Sequence, residues 1–244
     1  MFFKRICLFL LLALILATGN TFARERGDLL FNLEPQIGVA LPDIGIKLGD
    51  FKLSDLGYRN ESVIGLDLAL RATLHYYFFH FFGINAGAGV KGFISQYEAQ
   101  DWGGDWHVQN FAGIYASIPL GVRFSLGALA AGGGITANIP FFAQSEMWYR
   151  SGGHTSNRER DNGFELSTYM GWYADIGFDL SGRSGRTGGF GLLLRVSGSF
   201  DDSIAKSSIF TEYGRLSYNP FRYLAISLVF QGSTKVASLP IGGN

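Results

Sequence analysis

The sequence predicts an all-β protein: an eight-stranded antiparallel up-and-down transmembrane β-barrel. Three observations carry this. First, Ser62–Phe78 alternates without a break. Ile64, Leu66, Leu68, Leu70, Ala72, Leu74, Tyr76 and Phe78 share one face; Val63, Gly65, Asp67, Ala69, Arg71, Thr73, His75 and Tyr77 share the other. Successive side chains of a strand point to opposite faces, so one face is wholly apolar and the other holds both charges. Second, the segment far exceeds the roughly 5–6 residues of an ordinary strand and suffices for the ~9–11 tilted residues that cross a bilayer. Third, 34 glycines, 22 Phe, 11 Tyr and 4 Trp against only 6 prolines favour many strands. Apolar outside and polar inside is the pattern of a membrane barrel and the inverse of a soluble lipocalin-like barrel.

Met1–Ala23 has the plan of a secretory signal: Lys4 and Arg5, a short apolar core Ile6–Leu16, and Thr21-Phe22-Ala23 with small residues at the inspected positions. Cleavage is expected after Ala23. An uncleaved anchor is disfavoured because the apolar run is short for a span. Cys7 is the only cysteine and precedes the apolar core, so the expected mature chain has no thiol chemistry. Lys4 and Arg5 leave with the signal, taking 20 basic residues to 18 against 20 acidic. That balance offers no argument for nucleic acid. The expected organisation is a signal over 1–23, a barrel over 24–231 and a periplasmic tail over 232–244.

The first strand is expected over Phe31–Val39, with Phe31, Leu33, Ile37 and Val39 outward and Asn32, Glu34 and Gln36 inward; Pro35 falls on the outward set. The second is Ser62–Phe78, turning at Phe79–Phe82. The third, Ile84–Ser95, sends Lys91 and Phe93 inward. The fourth, Asn110–Phe124, sends in Tyr115, Ser117 and Arg123. The fifth, Ala128–Ile139, is rich in Ala and Gly, with Thr136 and Asn138 inward. The sixth, Phe164–Phe178, puts Phe164, Leu166, Met170, Trp172, Ile176 and Phe178 outward and Glu165, Tyr169, Tyr173 and Asp175 inward. The seventh, Gly189–Phe200, sends Arg195 in, and the eighth, Phe221–Gln231, puts Leu224, Ile226, Leu228 and Phe230 out. Long loops are expected at Leu41–Glu61, Gln96–Gln109, Pro140–Gly163 and Asp201–Pro220, alternating with short turns. Long loops belong outside the cell, so both termini are expected in the periplasm.

No charged residue takes an outward strand position. Glu34, Asp67, Glu165 and Asp175 point in, as do Arg71, Lys91, Arg123 and Arg195. These charges make either a salt-bridged plug or a narrow polar path, and glycines on the inward face of the third and fifth strands are expected to leave space. An eight-stranded barrel is barely wide enough for its own side chains, so a general diffusion pore is excluded. Loop aromatics Trp102, Trp106, Trp148 and Tyr149 mark either a partner site for a host or matrix ligand or anchoring at the membrane edge.

The chemical motifs are weak. Gly87–Gly92 matches GxGxxG, but within an antiparallel strand it lacks the helix that would meet a pyrophosphate. Ser203-Ile-Ala-Lys206 matches SxxK without its companion motifs. His75, His80, His107 and His154 are too scattered to share a metal. Glu165 and Asp175, ten residues apart on one strand, would be about 33 Å apart and cannot be a catalytic pair. Ser95 with His107, or Ser151 with His154, are the pairs a lipid-modifying barrel enzyme would need, in loops already rich in both residue types. No enzyme activity, cofactor or metal is expected.

The signal, the eight strands and segments such as Ser117–Phe124, followed by a glycine-rich strand, resemble the small bacterial outer-membrane β-barrel domain proteins of the OmpA, OmpX and OmpW type. The resemblance covers nearly the whole mature chain and is one of architecture. It implies residence in outer-membrane lipid after passage past periplasmic chaperones, and insertion by the barrel-assembly machinery, which reads a last strand like Tyr223–Phe230. Members are adhesins, structural proteins or narrow channels for small or hydrophobic solutes, and fold alone does not choose among them.

Overall fold

The computed structural model describes residues 26–48, 51–52, 59–100, 104–151, 154–156, 159–160, 165–180, 187–200, 205–206, 208–211 and 214–239. The expected signal, residues 1–23, lies outside the described residues. In chain order the strands are β1 (Asp28–Leu48), β2 (Phe51–Lys52), β3 (Arg59–Phe79), β4 (Phe82–Gln100), β5 (Trp106–Leu126), β6 (Leu129–Ser151), β7 (His154–Thr155), β8 (Glu159–Arg160), β9 (Glu165–Leu166), β10 (Tyr169–Asp179), β11 (Gly188–Ser199), β12 (Ala205–Lys206), β13 (Ser208–Thr211) and β14 (Gly214–Ser238).

Eight of them form a closed antiparallel ring in the order β1-β3-β4-β5-β6-β10-β11-β14, and β14 pairs back onto β1. Closure removes the exposed sheet edge that lipid cannot tolerate. One end of the ring carries tight turns. Phe79 pairs with Phe82 across His80-Phe81, and Leu126 pairs with Leu129 across Gly127-Ala128. Gly127 has φ 61°, a left-handed conformation open to glycine at no steric cost. The first and last described segments meet at this turn end: Gly27 N donates to Tyr77 O and Leu239 N donates to Gly27 O, each at 2.8 Å.

Burial follows the alternation and inverts the usual order. Leu70 is 51% exposed and Ile176 62%, whereas Asp67 is 0% exposed and Arg123 1%. Charged residues are almost never fully buried unless paired, so the polar side of this wall is its inside. Thr136 and Asn138 are buried and Ile135 and Ile139 exposed, which sets the facing of the alanine- and glycine-rich β6. Phe31, Phe124, Phe178, Phe190 and Phe230 are exposed near the turn end, at the level of an aromatic belt.

The strands outrun the expected boundaries. β1, β3 and β5 have 21 residues each and β6 has 23, so segments expected as loops carry ladder pairs such as Gln100↔Trp106 and Trp106↔Arg150. At ~3.3 Å per residue and a ~40° tilt, 21 residues reach about 50 Å in height, roughly twice the apolar band. The outward apolar series stops near Ile94 and Ile114, giving way to Gln96 and Asn110. Backbone pairing needs no apolar face, so it continues past that edge. β14 likewise runs to Ser238, where Asp28 pairs with it, so residues 232–238 belong to the wall and not to a tail.

The sixth wall strand departs from its expected course. β10 begins at Tyr169, opposite Asn138. The preceding Glu165 and Leu166 form β9, which pairs with β12 in a separate two-stranded ribbon. Leu166 was expected to face lipid; instead its side chain lies beside Gly113 Cα and Phe93, on the inner face. The apolar periodicity of Phe164–Phe178 cannot distinguish lipid from an apolar lining at the barrel mouth. Above Asn138, on its β10 side, β6 has no strand partner among the described residues until Glu146 pairs with Arg160 of β8. Among the described residues, the β6 ladder is therefore interrupted on this side over Ile139–Ser145.

Candidate functional site: the charged lumen and its mouth

Seven of the eight predicted interior charges converge in the lumen, placed there by the inward positions of β1, β3, β4, β5, β10 and β11. Arg195 on β11 lies opposite Asp175 on β10 and grips it in a fork, Nε to Oδ1 at 2.6 Å and Nη2 to Oδ2 at 2.8 Å. The same Nη2 reaches Glu34 Oε2 on β1 at 3.2 Å, and the guanidinium lies 4.8 Å over the Tyr173 ring. Arg123 on β5 sits 3.9 Å from Asp175 and donates to Asp179 Oδ2 and to Gln231 Oε1, both at 3.1 Å. Lys91 lies 3.5 Å from Asp67. Asp67 also accepts from Gln36 Nε2 and from Ser227 Oγ, the latter at 2.9 Å. Thr73 Oγ1 donates to Glu34 Oε1 at 2.9 Å, and His75 Nε2 stands 3.5 Å from the same oxygen.

The eighth, Glu165, is not on the wall: its backbone lies in the β9–β12 ribbon. Its place in the charge set is taken by Asp179, 3% exposed. Asp179 was expected in a glycine-rich turn, but β10 runs to Asp179, and the series Asp175, Gly177, Asp179 stays on the inward face. Four carboxylates, Glu34, Asp67, Asp175 and Asp179, thus share the lumen with Arg71, Lys91, Arg123 and Arg195. Gln36 and Gln231 were not singled out in the sequence, yet each bridges several charged groups. Their signal was the inward alternation itself.

Toward the outer end an aromatic layer covers this network. Phe93, Phe111, Tyr115 and Tyr169 are all buried; the Tyr115 and Tyr169 rings meet edge-on at 5.2 Å, and Phe93 lies 6.1 Å from Tyr115. Leu166 and Phe93 both crowd the inner-face position beside Gly113. The inward glycines open no space. A Cβ on Gly87, Gly89 or Gly134 would strike the carbonyl oxygen of Ala72, Leu70 or Leu120 on the adjacent strand, so these glycines admit backbone instead of a cavity.

Thr73, His75 and Glu34 do not form a hydrolase triad. In such a triad the two ring nitrogens serve different partners, whereas here Thr73, at 3.1 Å, and Glu34 both approach Nε2 of a buried ring. Ser95 is buried opposite Phe111, while His107 pairs with Ala99 four residues along β4, about 13 Å away. Among the described residues no group of three His, Cys, Asp or Glu is arranged to hold a metal.

Three of the four predicted external aromatics lie on strands. Trp106 on β5 takes the Arg150 guanidinium at 5.7 Å from its ring, and Arg150 Nη2 lies 4.0 Å from Glu98 Oε2. Trp148 pairs with Val108, and Tyr149, described in its backbone only, pairs with His107. Trp102 lies outside the described residues.

No protein-family model matches the chain, and no curated protein matches it. Among solved structures, the chain is similar to the outer membrane protein OprG from Pseudomonas aeruginosa, at 15% identity, TM-score 0.49, over 88% of this chain and 99% of that one. It is similar to the outer membrane protein AlkL at 10% identity, TM-score 0.49, over 92% and 97%. Ail, the attachment invasion locus protein of Yersinia pestis, solved with the heparin analogue sucrose octasulfate, aligns at 11% identity and TM-score 0.33 over 85% and 97%. These are small outer-membrane proteins, and at such scores their activities do not transfer to this chain.

Proposed function

We propose that this chain is an integral outer-membrane barrel that passes small apolar solutes from the external mouth sideways into the membrane. The observation that carries this reading is the interruption of the β6 ladder over Ile139–Ser145 among the described residues. The axial route is filled by charge pairs and aromatic rings, so a solute that reaches the aromatic layer finds no way down. Apolar side chains flank the break: Ile139, Phe141 and Phe142 are exposed at the depth of the outward apolar band. Within the mouth, Phe93, Phe111 and Leu166 offer an apolar floor. A polar solute gains nothing from this path, because leaving it means entering hydrocarbon.

The test is uptake of a small apolar fluorescent solute by vesicles carrying the refolded barrel. Uptake several-fold faster than by empty vesicles, and slowed by Leu166→Trp at the mouth, is expected. Uptake no faster than by empty vesicles refutes the reading. A second reading, a surface-exposed barrel that binds a host or matrix partner, is favoured by one observation: the Trp106, Arg150 and Glu98 cluster stands on the outer face beyond the apolar band. Loss of partner binding on Trp106→Ala, with uptake absent, would select it.

A further inference from the structure

Arg71 stands apart from the other buried cations. Lys91, Arg123 and Arg195 each lie within 4.0 Å of a carboxylate. Arg71, 2% exposed, has none so close among the described residues. Its one hydrogen bond runs from Nη1 to Gln36 Oε1 at 3.1 Å, and Arg195 Nη1 donates to that same oxygen, also at 3.1 Å. Two guanidinium groups therefore share one neutral acceptor. Arg71 Nε is buried with no partner among the described residues. A guanidinium stays charged in proteins and carries five N–H donors, so a buried one whose carboxylates all stand beyond 4.0 Å and whose Nε lacks an acceptor is disfavoured.

The sheet register runs on from Arg71 to Gly89, then Ser117, then Asn138, on four successive strands. Gly89 puts no side chain between Arg71 and Ser117. Among the described residues Ser117 Oγ has no partner, and neither has the hydroxyl of Tyr115, one inward position toward the mouth; both residues are 0% exposed. Asn138 gives Nδ2 to Thr136 Oγ1 at 3.0 Å and leaves Oδ1 without a partner. Buried polar groups in native proteins are nearly always satisfied, so this row requires an occupant. A positive charge and two free hydroxyl donors ask for an acceptor that carries negative charge. The Cα atoms of Arg71 and Ser117 are two strand spacings apart, about 9.6 Å, before their side chains enter the gap.

We propose that Arg71, Tyr115 and Ser117 form an internal binding site for a small monovalent anion of the halide class. The anion accepts from Arg71 Nε and from the two hydroxyls, and a neighbouring water donates to Asn138 Oδ1. The site is sealed by the aromatic layer, so the anion enters as the barrel closes. It stands independently of the passage of apolar solutes.

The full chain is refolded and crystallised in bromide, and anomalous scattering at the bromine edge locates the ion. One peak in the lumen at hydrogen-bonding distance from Arg71 Nε is expected. Water density alone at that place, or bromide only at the protein surface, overturns the proposal. In solution, the urea midpoint is compared in bromide and in gluconate at equal ionic strength. It is expected to be higher in bromide, because a ligand that binds only the folded state stabilises it. Arg71→Gln removes that difference, and Ser117→Ala, which leaves the charge network untouched and so serves where Arg71→Gln fails to fold, reduces it several-fold. Equal midpoints in the two salts, or an undiminished difference in Ser117→Ala, overturn the site.

Discussion

Arg195 holds two carboxylates at once, and this sets what a single residue is worth in the lumen. Removing one partner of a buried pair leaves the other charge uncompensated, at about 3–5 kcal/mol. Arg195→Met is therefore expected to lower unfolding free energy in lipid vesicles by about that much, because Asp175 loses its bidentate partner and Glu34 its guanidinium. Arg150→Met is the contrast. Its side chain is 49% exposed and its carboxylate lies at 4.0 Å, so the change is expected to stay within about 1 kcal/mol. Equal effects in urea titrations would show that the interior pairs are as screened as the surface one. At this scale the sequence was informative wherever alternation held. Glu34, Asp67, Arg71, Lys91, Arg123, Asp175 and Arg195 were placed by counting twos from an apolar neighbour. Asp179 escaped because glycines follow it, and a glycine-rich stretch has the composition of a turn even where its first residue still belongs to the ladder. The halide site escaped as well: Ser117 and Tyr115 were placed inward, but their lack of partners depends on what stands across the lumen.

Strands carry the next level of the account, and β3 is the clearest. Leu70 is 51% exposed near the middle of its outward series, opposite Pro35 and Val90. Leu70→Arg is expected to cost about 2–4 kcal/mol in vesicle unfolding, falling toward about 0–1 for an Arg placed near the belt at Phe78. A cost independent of depth would mean that this face does not meet hydrocarbon. β6 makes the opposite demand on its inner face. Gly134→Val puts a branched side chain against Leu120 O, and overpacking of that kind costs about 1–3 kcal/mol, whereas a Cβ on Gly232 meets nothing within 4 Å. The folded fraction in an unheated electrophoretic sample is expected to drop for Gly134→Val and to hold for Gly232→Ala; equal fractions would remove close backbone approach as the role of Gly134. The strand cores were legible because lipid on one side and charge on the other impose a strict period of two. Their outer ends were not, because beyond the apolar band both faces are polar and the ladder continues without a hydropathy signal. Glu165 and Leu166 show the same limit: an apolar lining at the mouth follows the same alternation as a lipid-facing strand.

The whole molecule is a barrel turned inside out relative to a soluble one, with hydrocarbon-facing Leu, Ile and Phe around a core of paired charges. In that arrangement the membrane replaces the apolar core as the partner for apolar surface, and the lumen supplies specificity through its polar network. Even strand number, ring closure and the tight turns after Phe79 and Leu126 were legible from spacing, whereas the expected long connections were overdrawn, since Gln100 already pairs with Trp106. The break beside β6 was not, since it arises where β10 starts late and β9 turns inward, a matter of tertiary placement. Among the described residues it separates a lower half, where the charges meet, from an outer half whose ladder is interrupted on one side. Single-channel recording of the refolded protein in a planar bilayer tests that division most directly. The account predicts a folded barrel with no steady conductance step, unchanged when Arg123 is replaced by Gln. A steady ohmic conductance that shifts on that replacement would contradict it, and would make the interior charges the lining of an axial path.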